Sequence, residues 1–184
     1  MKIVNLGTMD YDGSQLHHAF AYEKAQVLGP TITIFRGAAS VKEHLVDLED
    51  SLANDFIQSA DMWHFIIEIP EATITEVVTL QRLFICQCIE FLQQINPDVI
   101  YERNGDDIIV NGKKLSVSIA TLSRFSGLIH VGINVTVGDQ CPVAAIGLSD
   151  FAASTSSMFG CAMAEKFIAE YNDIKDATYK VVEV

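Results

Sequence analysis

A chain of 184 residues with 49% apolar and 20% charged residues can build one domain, spanning 1–184, around a proper core. A net charge of −12 argues against nucleic acid as a partner, which needs a basic stripe, but not against a nucleotide held by backbone N–H groups and a few cations. No apolar run reaches transmembrane length, and MKIVNLGTMDYDG holds none long enough for a signal peptide, so the expectation is a soluble cytoplasmic protein with no membrane partner.

Residues 2–6 read as a short strand. Tyr11-Asp12-Gly13-Ser14 is turn-like, and Ser14 is placed to cap a helix over Gln15–Leu28, which Gly29-Pro30 stops. Thr31–Phe35 alternates β-branched and aromatic residues as a strand does. A loop of small residues, Arg36-Gly37-Ala38-Ala39-Ser40, follows, and then the acidic, partly helical stretch HLVDLEDSLAND. Trp63–Ile69 is a strong strand closed by Pro70. Thr73–Ile95 is the longest helix, with Thr73 and Glu76 at capping-box spacing and a broad apolar stripe. Val99–Arg103 is a strand that leads into Asn104–Val137, which reads as three consecutive antiparallel strands.

The first of these three is Asp107–Val110, and Asn111-Gly112 is a two-residue turn whose residues both tolerate positive φ. In the second, Lys114–Ala120, alternation puts Leu115, Val117 and Ile119 on one face and Lys114, Ser116 and Ser118 on the other. In the third, Ile129, Val131, Ile133 and Val135 oppose His130, Gly132 and Asn134. A second amphipathic helix spans about Ser156–Tyr171, and Tyr179–Val184 reads as a final strand. The sum is an α+β fold, a mostly antiparallel sheet packed by helices.

The polar face of the hairpin carries Ser, Gly, His and Asn in place of long charged residues, which suits a pocket floor approached closely by a ligand. Arg36, before Gly37, is placed to grip a phosphate or carboxylate. Arg36 and Lys114 are expected to meet at one anion site. Asp106 and Asp107 either charge a strand edge, orient Lys114 or hold a metal. Asp47, Glu49 and Asp50 read as a solvated acidic face, with a Mg²⁺ site on one or two of these carboxylates as the alternative, and His64 as a structural histidine within a strand. Of the four cysteines, Cys141 in GDQCP is the candidate exposed nucleophile. A mean hydropathy of +0.26 points to a homodimer.

The segment from Asp106 to Val135 resembles the core of the biotin protein ligase and lipoate ligase superfamily. The matching residues run from Asp106 through Asn111-Gly112-Lys113-Lys114 to Ser116, and from Val131 through Gly132 and Asn134 to Val135. The resemblance implies that Lys114 is the catalytic lysine that binds the reacting carboxylate, with Asp107 and Asn134 in the family's aspartate and asparagine places. It implies a small-carboxylate activating or acyl-transferring enzyme, with Arg36, Gly37, Ser116, Ser118, His130, Gly132 and Asn134 around substrate and Asp106 and Asp107 toward a metal. ATP and Mg²⁺ are the cofactors it implies, and a small carboxylate or nucleotide the ligand. A non-catalytic binding module on the same fold is the alternative. The phosphate loops of the two ligases, GRGRxGR and RRxGGG, have here only Arg36-Gly37-Ala38-Ala39 as counterpart. DYDGSQLH, FRGAASVKEHLVDLED and DMWHFIIE further resemble domain-of-unknown-function family 366, which is assigned the same fold, related to class II aminoacyl-tRNA synthetases.

Overall fold

Alternating apolar residues build long strands, and the chain has three of them side by side. The computed structural model describes residues 1–42, 44, 46, 56–139 and 141–182. The strands are β1 (Lys2–Thr8), β2 (Thr31–Val41), β3 (Ile57–Pro70), β4 (Tyr101–Asn104), β5 (Asp107–Val110), β6 (Lys113–Lys114), β7 (Ser116–Leu122) and β8 (Ser126–Thr136). The helices are α1 (Phe20–Ala25), α2 (Ile74–Ile95), α3 (Leu148–Phe151) and α4 (Phe159–Thr178). One sheet has the order β1-β2-β3-β8-β7, with β1 parallel to β2 and the other pairs antiparallel. A smaller antiparallel sheet, β4-β5-β6, stands beside it.

The large sheet has two unlike faces. One carries Ile32, Ile34, Phe65, Ile67, Ile129, Val131 and Ile133 and buries them against Phe84, Ile85, Phe159 and Phe167 of α2 and α4. Each such side chain contributes about 1.5–3 kcal/mol on leaving water, so this layer dominates stability. Thr73 caps α2 as expected, its Oγ1 accepting from the Glu76 N–H at 3.2 Å. The other face carries Phe35, Ile66, His64 and His130, and Tyr11 and Phe20 from the N-terminal segment cover part of it.

Several expected elements differ. The helix over Gln15–Leu28 shrinks to α1, preceded by Ala19 at φ 64°. Ser14 caps nothing there, because its hydroxyl and N–H both bond Asp12. Arg36–Ser40 is not a loop but the second half of β2. Its small residues serve a close crossing: a Cβ at Gly37 would collide with the Met9 carbonyl, so glycine lets the chain from Met9 lie against the strand. Tyr179–Val182 form no strand; α4 runs on to Thr178, seven residues past its expected end. Of the helical reading of 44–55 only residues 44 and 46 are described, and the acidic face of Asp47, Glu49 and Asp50 lies outside the described residues.

The second strand of the hairpin breaks at Leu115. Lys113–Lys114 pair with Val110 and Ile109 in the small sheet, whereas Ser116–Leu122 pair with β8 in the large one. Asn111 and Gly112 make the turn with φ of 51° and 72°, as the sequence predicts. The break cancels the expected alternation. Leu115 joins the helix-side core, while Val117 and Ile119 pair with Gly132 and His130.

Candidate functional site

A cavity of about 220 Å³ opens on the face of β7 and β8 that the helices leave bare. Its walls include Tyr11, Val41, Met62, Lys114, Val117, Ile119, His130 and Asn134, together with His44, Phe56, Cys141 and Pro142. The volume lies below the usual ~300–1,000 Å³ of small-molecule pockets, which favours a compact ligand.

Lys114 sits at this cavity because β6 ends one residue before the break at Leu115. Its Nζ lies 3.0 Å from Asp107 Oδ2, both side chains being about one-third exposed or less. Burial holds the Asp107 carboxyl above its usual pKa, and the nearby ammonium pulls the other way. An ammonium has three donors, so Lys114 can keep Asp107 and still bind an incoming anion. Among the described lining residues it is the one lysine or arginine. The segment 144–146 runs beside it: Lys114 N–H donates to the Ala144 carbonyl, and Ile146 N–H donates to the Lys114 carbonyl. Asn134 donates its Nδ2–H to the same Lys114 carbonyl at 3.4 Å.

The floor holds two buried histidines. His64, fully buried, and His130, 2% exposed, place Nδ1 and Nε2 3.2 Å apart. The other nitrogen of His64 lies 3.3 Å from the Gly37 carbonyl. Tyr11 stacks on His130 with ring centroids 3.9 Å apart, and Phe35 stacks on His64 at 4.9 Å. Burial pushes His64 down to about 4, against the weaker opposing pull of the Gly37 carbonyl and the Asp61 and Asp10 charges. Burial, with His64 beside it, lowers His130 well below the ordinary histidine value. Burial likewise raises the Tyr11 phenol. All three rings are neutral at pH 7.

The expected site residues divide. Lys114, Asp107, His130 and Asn134 come together at or beside the cavity. Ser116 and Ser118 touch it, but the register of β7 pairs them with Ile133 and Val131, so their hydroxyls are engaged elsewhere. Ser116 Oγ accepts from the Ile108 N–H, and Ser118 Oγ donates to Asp106 Oδ2. Gly132 is not open to a ligand, because Met62 and Val117 fill the space above it. Gly37 is covered by Met9 and Asp10.

Arg36 does not join Lys114. It shares the helix-covered side of the sheet with Trp63, its guanidinium carbon 5.9 Å from that ring, and both Nε and Nη2 donate to Asp61. Asp106 is equally committed, to Gln81, Ser118 and Arg82, so it does not form a metal pair with Asp107. Among the described residues no group of three His, Cys, Asp or Glu side chains could hold a metal.

Tyr11 and the pairing of His64 with His130 escaped the sequence reading. Each histidine sat in an apolar strand, and only the β3–β8 register brings them together. A second group also escaped it: Glu68, 7% exposed, accepts from Ser126 Oγ at 2.8 Å and from the Ala19 N–H, and lies 2.7 Å from His18 Nδ1. Serine and glutamate both meet the same ring nitrogen of His18, so no proton relay through the imidazole is possible. The cluster ties the N-terminal segment to β3.

The sequence profile of a family described as "Domain of unknown function (DUF366)" matches residues 1–182. An uncharacterized protein of Methanocaldococcus jannaschii, MJ0805, is 32% identical over 148 residues, 77% of this chain and 66% of the relative. The chain thus spans just under two thirds of that relative's length. A solved protein of unknown function from Pyrococcus horikoshi is 36% identical, with both chains fully covered and a TM-score of 0.91. A biotin protein ligase from Aquifex aeolicus in complex with biotin and ATP is 12% identical, covering 92% of this chain and 72% of its own, with a TM-score of 0.60. A putative lipoate protein ligase from T. acidophilum with bound lipoic acid, Ta0514, is 12% identical over 91% of this chain and 85% of its own, with a TM-score of 0.58. The fold is therefore that of biotin and lipoate ligase catalytic domains. Of the residues expected around a phosphate or a metal, Arg36 and Asp106 are both held by other groups.

Proposed function

The chain belongs to the DUF366 family, and from that premise we propose that it binds a small carboxylic acid in the β7–β8 cavity and activates it or transfers its acyl group. The observation that carries this reading is Lys114: a cation at a compact, mostly apolar cavity, in a chain whose net charge is −12. Lys114 grips the free carboxylate and, when an activated acyl group is attacked, stabilises the negative charge that grows on the acyl oxygen before the leaving group departs, and Asp107 orients the ammonium. Between the two reactions, transfer from an already activated acyl donor requires no triphosphate cradle, and the engagement of Arg36 by Asp61 favours it. ATP and Mg²⁺ belong to the activating form.

One observation favours a second reading, a binding module without catalysis. Both residues that would extend the site toward phosphates, Arg36 and Asp106, are locked in ion pairs. Acid-dependent exchange of label between pyrophosphate and ATP, across a panel of short-chain acids, tests the activating enzyme. Transfer of a labelled acyl group from a thioester to an added nucleophile tests the transferase. Turnover in either assay, lost in Lys114→Ala, supports an enzyme; binding without turnover in both supports the module.

A further inference from the structure

The cavity floor is more selective than an apolar patch, because its hydrogen bonds have a fixed direction. The Gly37 carbonyl can only accept, so the facing His64 Nε2 carries the proton. A neutral His64 then has an acceptor at Nδ1, which must receive its hydrogen bond from His130 Nε2–H. That assignment leaves His130 Nδ1 with a lone pair and no partner among the described residues, on a ring 2% exposed that lines the cavity. Tyr11 lies flat against the same ring at 3.9 Å and holds it in plane. Tyr11, 4% exposed, also lines the cavity, and its hydroxyl has no partner among the described residues.

We propose that His130, set in one tautomer by His64, is a specificity-determining acceptor that selects a ligand whose buried end is neutral and carries an O–H or N–H donor. This rests on the reading of the cavity as a carboxylate site, with Lys114 at the ligand's other end. A hydroxyl or carboxamide satisfies both His130 and Tyr11. A methyl hydrogen-bonds to neither and displaces the water that either could otherwise hold. A charged buried end would meet three neutral rings and no counter-ion among them. His64 acts as a positioning residue: it never touches the ligand, but holds the proton of His130 on Nε2 and so leaves Nδ1 as an acceptor.

The test begins with nitrogen NMR of the histidine rings in the ligand-free protein near neutral pH. The expected result is a protonated Nε2 and a lone pair at Nδ1 in both His64 and His130. A charged His130, or one protonated at Nδ1, overturns the inference. Fragments with one short body then follow: hexanoate, its ω-hydroxy derivative, and hexanol. The ω-hydroxy acid is expected to bind at least about tenfold tighter than hexanoate and to move the His130 Nδ1 signal. Equal affinity of the two acids overturns the inference and leaves the carboxylate reading standing. Hexanol that moves the Nδ1 signal, with the carboxylate adding nothing, overturns the carboxylate reading and leaves the acceptor role standing. No binding by any fragment overturns both. His64→Phe is expected to release His130 into mixed tautomers and abolish the preference. His64→Gln, which can accept from His130 and donate to Gly37, is expected to restore it. Preference retained in His64→Phe excludes the positioning role.

Discussion

At the scale of the residue, Lys114 and the two histidines make opposite demands on charge. Lys114 is partly exposed and pairs with a partly exposed Asp107, a kind of pair worth about 0–1 kcal/mol. Lys114→Ala should therefore shift the urea midpoint little while weakening carboxylate binding at least about tenfold. An unfolded variant would mean that the side chain is structural. His64 and His130 respond to pH. With the folded pKa of His64 near 4 and the unfolded value about 6.5, the unfolded chain binds a proton in that window and the folded chain does not. Stability is then full above about pH 6.5 and falls as pH drops toward 4, by about 1.4 kcal/mol per pH unit for each such histidine. His130 is shifted the same way. The groups that face His64 are Tyr11, Phe35 and His130, with the Asp61 and Asp10 charges beyond them. Urea melts between about pH 7 and pH 5.5 should show the loss, and His64→Phe should reduce it to the part that His130 contributes. A native curve already flat there would contradict the neutral buried pair.

At the scale of the element, β2 depends on being crossed closely by the chain from Met9 to Tyr11. Tyr11 N–H donates to the Ala38 carbonyl, and Ser40 N–H to the Tyr11 carbonyl, so the crossing is knitted into the strand. Gly37→Ala puts a methyl against the Met9 carbonyl and should cost about 1–3 kcal/mol. It should also lift Tyr11 off His130, read as a changed ring-current shift on the histidine. An unchanged shift and midpoint would show that the crossing is slack. This element also shows what a sequence can and cannot disclose. Strand β5, the Asn111-Gly112 turn, β8 and the capped α2 were legible, because local alternation, turn chemistry and capping decide them. The run Arg36–Ser40 reads as a loop that admits a phosphate or carboxylate, because small residues look alike whether they admit a ligand or a neighbouring strand. Lys114 was placed at the site from its pattern, but Ser116 and Ser118 were not separable from it. The break at Leu115 arises from competition between two sheets for one strand, which alternation alone cannot register. The His64–His130 pair depends on the β3–β8 register, a long-range choice with no local signature.

At the scale of the molecule, the helices cover one face of the sheet, and the N-terminal segment covers part of the other, which also holds the cavity. No helix among the described residues is long and apolar enough to cross a membrane. The sheet ends in β1 on one side and β7 on the other, and each edge shows an apolar side chain to solvent, Ile3 and Leu122. Unpaired edges of this kind invite pairing, and the two-fold dimer is the commonest outcome. Light scattering at micromolar concentration should give twice the 20.2 kDa of one chain; a mass near that single value would contradict a homodimer. The central claim is narrower: a carboxylate ligand is held in the cavity by Lys114. Calorimetric titration of short carboxylic acids into the native protein, Lys114→Ala and the exposed neighbour Lys113→Ala tests it most directly. The account predicts binding by the native protein and by Lys113→Ala, weakened at least about tenfold in Lys114→Ala. Equal binding by all three proteins, or none by the native one, would contradict it.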